Sequence, residues 1–172
     1  MTNNYRANPI SRSAIQDYVH KLKKATGFEN DLYFPVIEFM ELVLPSINPG
    51  FSYEYVTITE MGNLHGETFP SKNIIRIRED VYERAINGEG RDRMTIAHEI
   101  GHLLLHEDNE ISLCRADSYQ KMKPYEDPEW QADCFGGELL ATSYLIKGMS
   151  PFEVAKKCVV SLQAAEVQLK NA

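Results

Sequence analysis

The stretch His98-Glu99-Ile100-Gly101-His102 constrains this chain more than any other. On an α-helix, residues four apart lie one above the other, about 5–6 Å between Cβ atoms. Two imidazoles so placed can reach one zinc ion at Zn–N distances of roughly 2.0–2.1 Å. Glu99 projects about 100° round the helix from His98. It can stand beside the ion without ligating it and act as general base on a water. A histidine pair on a helix can also be surface decoration, but the flanking run from Thr95 to Leu105 is apolar and helix-compatible. Ile96, Ile100 and Leu103 share a face that should dock on a core, and the histidines occupy a different one. Gly101, a poor helix former, leaves room there for another element to approach.

Catalytic zinc usually takes three protein ligands and keeps one position open. His106 lies eight residues from His98, about 12 Å along a continuous helix, too far to share the ion. Peptidases with a third histidine here break the helix first, in the pattern H-E-x-x-H-x-x-G-x-x-H. This chain has Leu105 in place of that glycine and Asp108 in place of that histidine. His106 therefore reads as structural or as a neighbour of a ligand, and His20 and His65 have no supporting context. Glu129 is the better third ligand. Asp127-Pro128 is a strong helix start, with Asp as cap and Pro in the first turn, and Glu129 opens that helix. Asp133 and Gly136 share its face, so Asp133 can accept the second ring N–H of a liganding histidine.

The remaining elements read as scaffold. Ser11 to about Ala25 is an amphipathic helix with Ile15, Tyr18, Val19 and Leu22 inward and Gly27 as its stop. A second helix spans Pro35 to Leu44, ended by Pro45 and Asn48-Pro49-Gly50. From Phe51 the period changes to two. Ser52–Thr59, His65–Phe69 and Asn73–Glu79 read as three strands of a small antiparallel meander, whose edge could hold a peptide by main-chain pairing. Glu79 to Asn87 is a short helix, and Asp92 is the expected N-cap of the motif helix. Glu107 to Asp127 has no clear period and is long for a connection, as functional lids are. Met149-Ser150-Pro151 opens a helix to about Cys158, and Ser161 caps a last one from Leu162 to Leu169. Two short helices with a tight turn suit helix-turn-helix geometry. Only Lys156, Lys157 and Lys170 lie nearby, so core packing or partner contact is the better reading.

Bulk properties narrow the function. The 172 residues suffice for one domain with a real core. The domain spans 1–172: N-terminal helices at about 11–47, sheet at about 51–79, metal-site helices at about 92–145 and a C-terminal helix pair at about 150–170. The net charge of -7 gives no general attraction to nucleic acid. No run is long and apolar enough to span a membrane, and Met1–Arg6 lacks a signal peptide's apolar stretch. Cys114, Cys134 and Cys158 are odd in number, widely spaced and without a Cys-x-x-Cys. They indicate neither a disulfide framework nor a thiolate zinc site, and a reducing cytoplasm is the expected compartment.

The block Arg93-Met94-Thr95-Ile96-Ala97-His98-Glu99-Ile100-Gly101-His102 resembles the core of the ImmA/IrrE metallopeptidases. The second block, Glu129-x-x-Ala132-Asp133-x-Phe135-Gly136-x-Glu138-Leu139-Leu140, is similar to that family's second motif. The tail Val160-Ser161-x-x-Ala164-Ala165-x-x-x-Leu169 is similar to its C-terminal pattern. The likeness covers roughly residues 30 to 170. It implies a compact zincin-like α+β fold with the H-E-x-x-H helix at its centre, His98, His102 and Glu129 as metal ligands and Glu99 as catalytic base. The cofactor would be zinc, with Mn²⁺ or Fe²⁺ able to occupy such a site. Family members typically cleave or otherwise inactivate a helix-turn-helix repressor of a phage or mobile element. The chain departs from the family at Asp133, where Asn is frequent, at Gly136, where Ala is usual, and at Ala141-Thr142, where a Pro commonly follows Leu-Leu. These changes touch the cleft and spare the ligands. The expectation is a zinc-dependent endopeptidase acting on a protein, with Tyr125, Tyr119 or His65 as oxyanion donor. The rival is a non-catalytic regulatory protein, or toxin–antitoxin component, that sequesters a repressor; a third reading is a hydrolase of a small amide.

Overall fold

The computed structural model describes residues 6–106 and 122–172. Helix α1 (Arg12–Thr26) starts where the Ser11 hydroxyl accepts the Ala14 N–H and stops where Gly27 turns left-handed at φ 85°. Ile15 and Val19 are fully buried, whereas Tyr18 of the same stripe stays exposed. The second helix runs past its expected end. α2 (Val36–Glu38), a widened π turn (Phe39–Val43) and α3 (Leu44–Ile47) follow one another without a break. The Leu44 N–H reaches back five residues to Phe39 O. Pro45 thereby falls in the first turn of a fresh segment, where a missing N–H leaves nothing unsatisfied.

The sheet corrects the expected antiparallel meander. β1 (Ser52–Val56), β2 (Gly66–Phe69) and β3 (Ile74–Arg78) form a mixed sheet in the order β1-β3-β2, with β1 parallel and β2 antiparallel to β3. β1 stops short of Thr59 because the Thr57 hydroxyl accepts the Glu60 N–H and caps α4 (Ile58–Met61). That turn carries the chain past β3, so β2 returns on its far side and no β1–β2 hairpin forms. β3 takes the centre with Ile75 and Ile77 fully buried. Its Arg76 is in register with Glu54 on one neighbour and Glu67 on the other, and it pairs with both carboxylates at 3.3–3.4 Å. Opposite charges directly across a ladder favour this register.

α5 (Glu79–Ile86) leads into the motif helix, α6 (Gly90–Leu105). α6 starts at Gly90 behind Glu89, two residues before the expected cap Asp92. Asp92 lies inside the first turn and accepts both prongs of Arg84, each at 3.0 Å. It therefore favours the helix through charge at the N-terminus. Arg93 is buried and donates to Phe34 O, Tyr33 Oη and Val159 O at 2.8–3.1 Å. One guanidinium thus ties the start of α6 to two distant loops. One of them contains Val159, which sits at φ 56°, costly for a β-branched residue.

α7 (Pro128–Leu140) crosses α6, and α8 (Ser143–Ile146) follows it. α9 (Pro151–Cys158) opens with a Ser150–Glu153 capping box and α10 (Leu162–Lys170) with a Ser161 cap. The C-terminal pair packs into the fold. Gln168 of α10 is buried and donates to Glu138 Oε2 and Ala141 O, bracing α7. A single hydrophobic cluster links α1, α2, β3, α5, α6, α7 and α9, which makes the architecture α+β. Cys134 and Cys158 are buried and free. The expected lid lies largely at 107–121, outside the described residues, as does Cys114.

Gly90 abuts the backbone linking α9 to α10. A Cβ there would meet Ser161 N and Val160 C at 2.6 Å. Backbone cannot rotate away as a side chain can, so Gly90→Ala should destabilise the fold by about 1–3 kcal/mol. Urea unfolding checks this; an unchanged midpoint would contradict the contact.

Candidate metal centre

α6 and α7 meet through two glycines. A Cβ on Gly101 would lie 3.1 Å from Phe135 Cβ and 3.2 Å from Ala132 Cα. A Cβ on Gly136 would lie 3.2 Å from the His98 amide nitrogen and 3.3 Å from Ala97 C. Each helix thus offers a notch to the other. The close crossing brings the first turn of α7, carrying Glu129, opposite the histidine face of α6.

Donor atoms of three residues converge there, the two Glu129 oxygens each facing a different histidine. His98 Nε2 and His102 Nε2 lie 3.0 Å apart. Glu129 places Oε2 3.2 Å from His98 Nε2 and Oε1 3.2 Å from His102 Nε2. Ligands round a tetrahedral ion at roughly 2.0–2.1 Å stand about 3.3–3.4 Å from one another. One ligand atom from each of the three residues lies within 4.8 Å of the other two, a spacing such an ion can bridge, and two imidazoles with one carboxylate is a donor set zinc accepts. His98, His102 and Glu129 could therefore hold a metal ion.

The outer ring nitrogens are also engaged. His98 Nδ1 donates to Asp133 Oδ1 at 2.7 Å, the pairing the helical spacing predicts. His102 Nδ1 lies 3.1 Å from His106 Nδ1, and His106 Nε2 lies 2.7 Å from Gln131 Oε1. His106 stands off the donor triangle, and burial pushes it below the ordinary imidazole value. His20 is remote from the site and pairs with Glu138 at 2.6 Å.

Glu99 is buried and turned towards the sheet, where the Thr68 hydroxyl donates to its carboxylate. A Cβ on Gly66 would sit 2.8 Å from Glu99 Cγ, so the strand passes flush against this side chain. Burial raises the Glu99 pKa above the usual carboxylate range; the Thr68 bond and the two histidines pull it partly back. A carboxyl with increased proton affinity suits general base work near neutrality. Thr68, Gly66 and Gln131 are the positions that sequence reasoning missed. A lone glycine in a strand does signal close approach. Gln131 falls on the buried stripe of Ala132, Phe135 and Leu139, where a polar residue needs a partner.

Two clefts meet at His98. One, of about 410 Å³, is lined by Gly66, Thr68, Glu99, His102 and Glu129. The other, of about 570 Å³, runs past Asp133 towards Thr95 and Ser161. Neither Tyr125 nor His65 lines them, and Tyr119 lies outside the described residues, so no oxyanion donor is assigned.

The chain matches a peptidase family model described as the IrrE N-terminal-like domain over residues 58–170, about two thirds of its length. It belongs to this family. The match spans the sheet from β2 on, both site helices and the C-terminal pair. Membership in the IrrE N-terminal-like peptidases supports a metallopeptidase-type function, consistent with the His-His-Glu cluster. No curated protein matches the chain. Among the described residues, no helix is long and apolar enough to cross a membrane.

Burial works against a charge on His98, but the bonds from Asp133 and Glu129 outweigh it and hold the metal-free imidazole's pKa up to about 10. A group raised in this way keeps its proton at neutral pH and loses it only as pH rises through that value. Metal binding at pH 7.5 should thus expel about one proton from His98, and affinity should weaken about tenfold per pH unit on acidification. Calorimetry in buffers of different ionisation enthalpy measures this, and a proton release of zero would contradict it.

Proposed function

We propose that this protein is a zinc-dependent endopeptidase. His98, His102 and Glu129 hold the ion, Glu99 is the catalytic base, and Asp133 fixes the ring of His98. The supporting observation is the donor triangle with a buried carboxylate beside it, on the side facing β2. A bound Zn²⁺ supplies Lewis acidity and brings the pKa of its water towards about 7; Mn²⁺ or Fe²⁺ fits the same donors. Glu99 is placed to take a proton from the attacking water and return it to the leaving amine. Its burial disfavours the charged form, and Thr68 keeps the carboxylate aimed along the cleft.

A polypeptide is favoured over a small amide by the two clefts, which extend from His98 in different directions. β2 pairs only with β3 among the described residues. Its outer edge, beside Gly66 and Thr68, can add a substrate strand by main-chain pairing. The family resemblance points to a helix-turn-helix repressor of a phage or mobile element as substrate, met in the cytoplasm. Direct binding to nucleic acid does not suit a net charge of -7, and the packed α9–α10 pair is structural here.

Glu99→Gln tests the reading, because it removes the base and leaves the donor triangle intact. Purified metal-loaded enzyme is incubated with a purified helix-turn-helix repressor, and fragments are identified by mass spectrometry. Wild type should cleave, and Glu99→Gln should lose roughly 10²–10⁴-fold in rate. A variant that relieves repression as well as wild type, with the repressor intact, would contradict catalysis and support sequestration.

A further inference from the structure

The outer bonds of the two histidines differ. His98 faces a carboxylate, whereas His102 faces another imidazole, whose proton arrangement is decided elsewhere. Gln131 is fully buried. Its Nε2 donates to Asn8 O at 2.8 Å and to Tyr125 O at 2.9 Å. A reversed amide would aim its oxygen at two carbonyl oxygens, so these two acceptors fix Gln131 Oε1 towards His106.

The consequence passes along the chain of bonds. Facing an acceptor, His106 Nε2 carries the proton, at 2.7 Å. A neutral His106 then has a lone pair on Nδ1. His102 Nδ1, 3.1 Å away, must supply the proton of that bond. His102 Nε2 is left free to offer its lone pair to the position shared with His98 and Glu129. The opposite amide orientation would invert every link and put a proton on His102 Nε2, where a metal cannot be bound.

We propose that Gln131 and His106 are positioning residues that set the tautomer of His102 and so prepare it as a metal ligand. The inference rests on the metal-site reading above. Part of the control comes from outside the family-matched region. Asn8 precedes residue 58, and its segment is bound to the Pro124–Glu126 turn by Ala7 N to Glu126 O and Ile10 N to Tyr125 O, at 2.8 and 2.9 Å. The N-terminal segment thus braces the amide that governs a ligand two bonds away.

The test compares Gln131→Met with Gln131→Glu in the full-length, metal-free protein, titrated with Zn²⁺ against a chelating dye. Met keeps the bulk and loses the acceptor; Glu keeps an acceptor and loses both donors. Both variants should lower the melting temperature. Only Gln131→Met should weaken Zn²⁺ affinity, by about 10–100-fold, as loss of a ligand's supporting bond does. Glu should stay within about threefold of wild type. A merely structural Gln131 would move affinity in both variants or in neither. His106→Leu, with Gln131 intact, should lose affinity to the same degree as Gln131→Met. Long-range ¹H–¹⁵N correlation on the metal-free wild type should show His106 neutral with its proton on Nε2. A proton on Nδ1, or wild-type affinity in Gln131→Met or His106→Leu, would overturn the proposal. A wild type that takes up no Zn²⁺ would overturn it together with the metal-site reading. Ordinary Zn²⁺ binding by wild type and all three variants would overturn this proposal alone.

Discussion

The close crossing of α6 and α7 is the constraint on which the site depends. One helix supplies two donors and the other supplies the third, so no single helix can assemble the triangle. Glu129 has a short side chain and sits in the first turn of α7. It reaches the histidines only because Gly101 and Gly136 let the two backbones approach. The rest of the fold holds that crossing. Phe135 and Ile100 fill the core beneath it, Arg93 anchors one end of α6, and Gln168 braces α7 from the C-terminal pair. Small residues at a helix contact reduce the interaxial distance, which is otherwise set by side-chain bulk.

The site's electrostatics follow from the same crossing. α7 brings Glu129 and Asp133 to the open side of His98, and both are more than half exposed. Glu99 lies on the opposite, buried side against β2. Carboxylates of one kind are thereby put in two environments. Glu129 is held well below the usual range by its histidine bonds, and Glu99 is raised by burial. One stays ionised and can serve as a ligand, while the other has the proton affinity a general base needs. Environments that separate the pKa values of neighbouring groups mark the division of roles in such sites.

Much of this was legible in the sequence, because it rests on local chemistry. Asp127 and Ser161 cap the helices they were expected to cap, and Ser11 and Ser150 cap the helices expected to begin at them, each through a side-chain oxygen. The four-residue spacing of His98 and His102, and of Glu129 and Asp133, translated directly into shared faces. The sheet order was not legible. Alternation in β3 shows which side chains point inward, but not which strand lies alongside. Thr57 reads equally well as a β-branched strand residue or as a cap, and its role as cap replaced the expected hairpin with a mixed sheet. Asp92 and Glu89 competed in the same way for the start of α6. Gln131 was hidden for another reason. Its place on the stripe of Ala132, Phe135 and Leu139 signals burial, but only the packed structure shows that its partners are His106, Asn8 and Tyr125.

Metal content measured side by side on wild type and Glu129→Ala tests the central claim most directly. Both proteins are purified without chelator and subjected to elemental analysis. The donor triangle predicts about one metal ion per chain in wild type and a sharp loss in the variant, since two imidazoles alone do not make a three-ligand site. Wild-type protein without metal even after zinc is supplied, or Glu129→Ala with a full complement, would contradict the account.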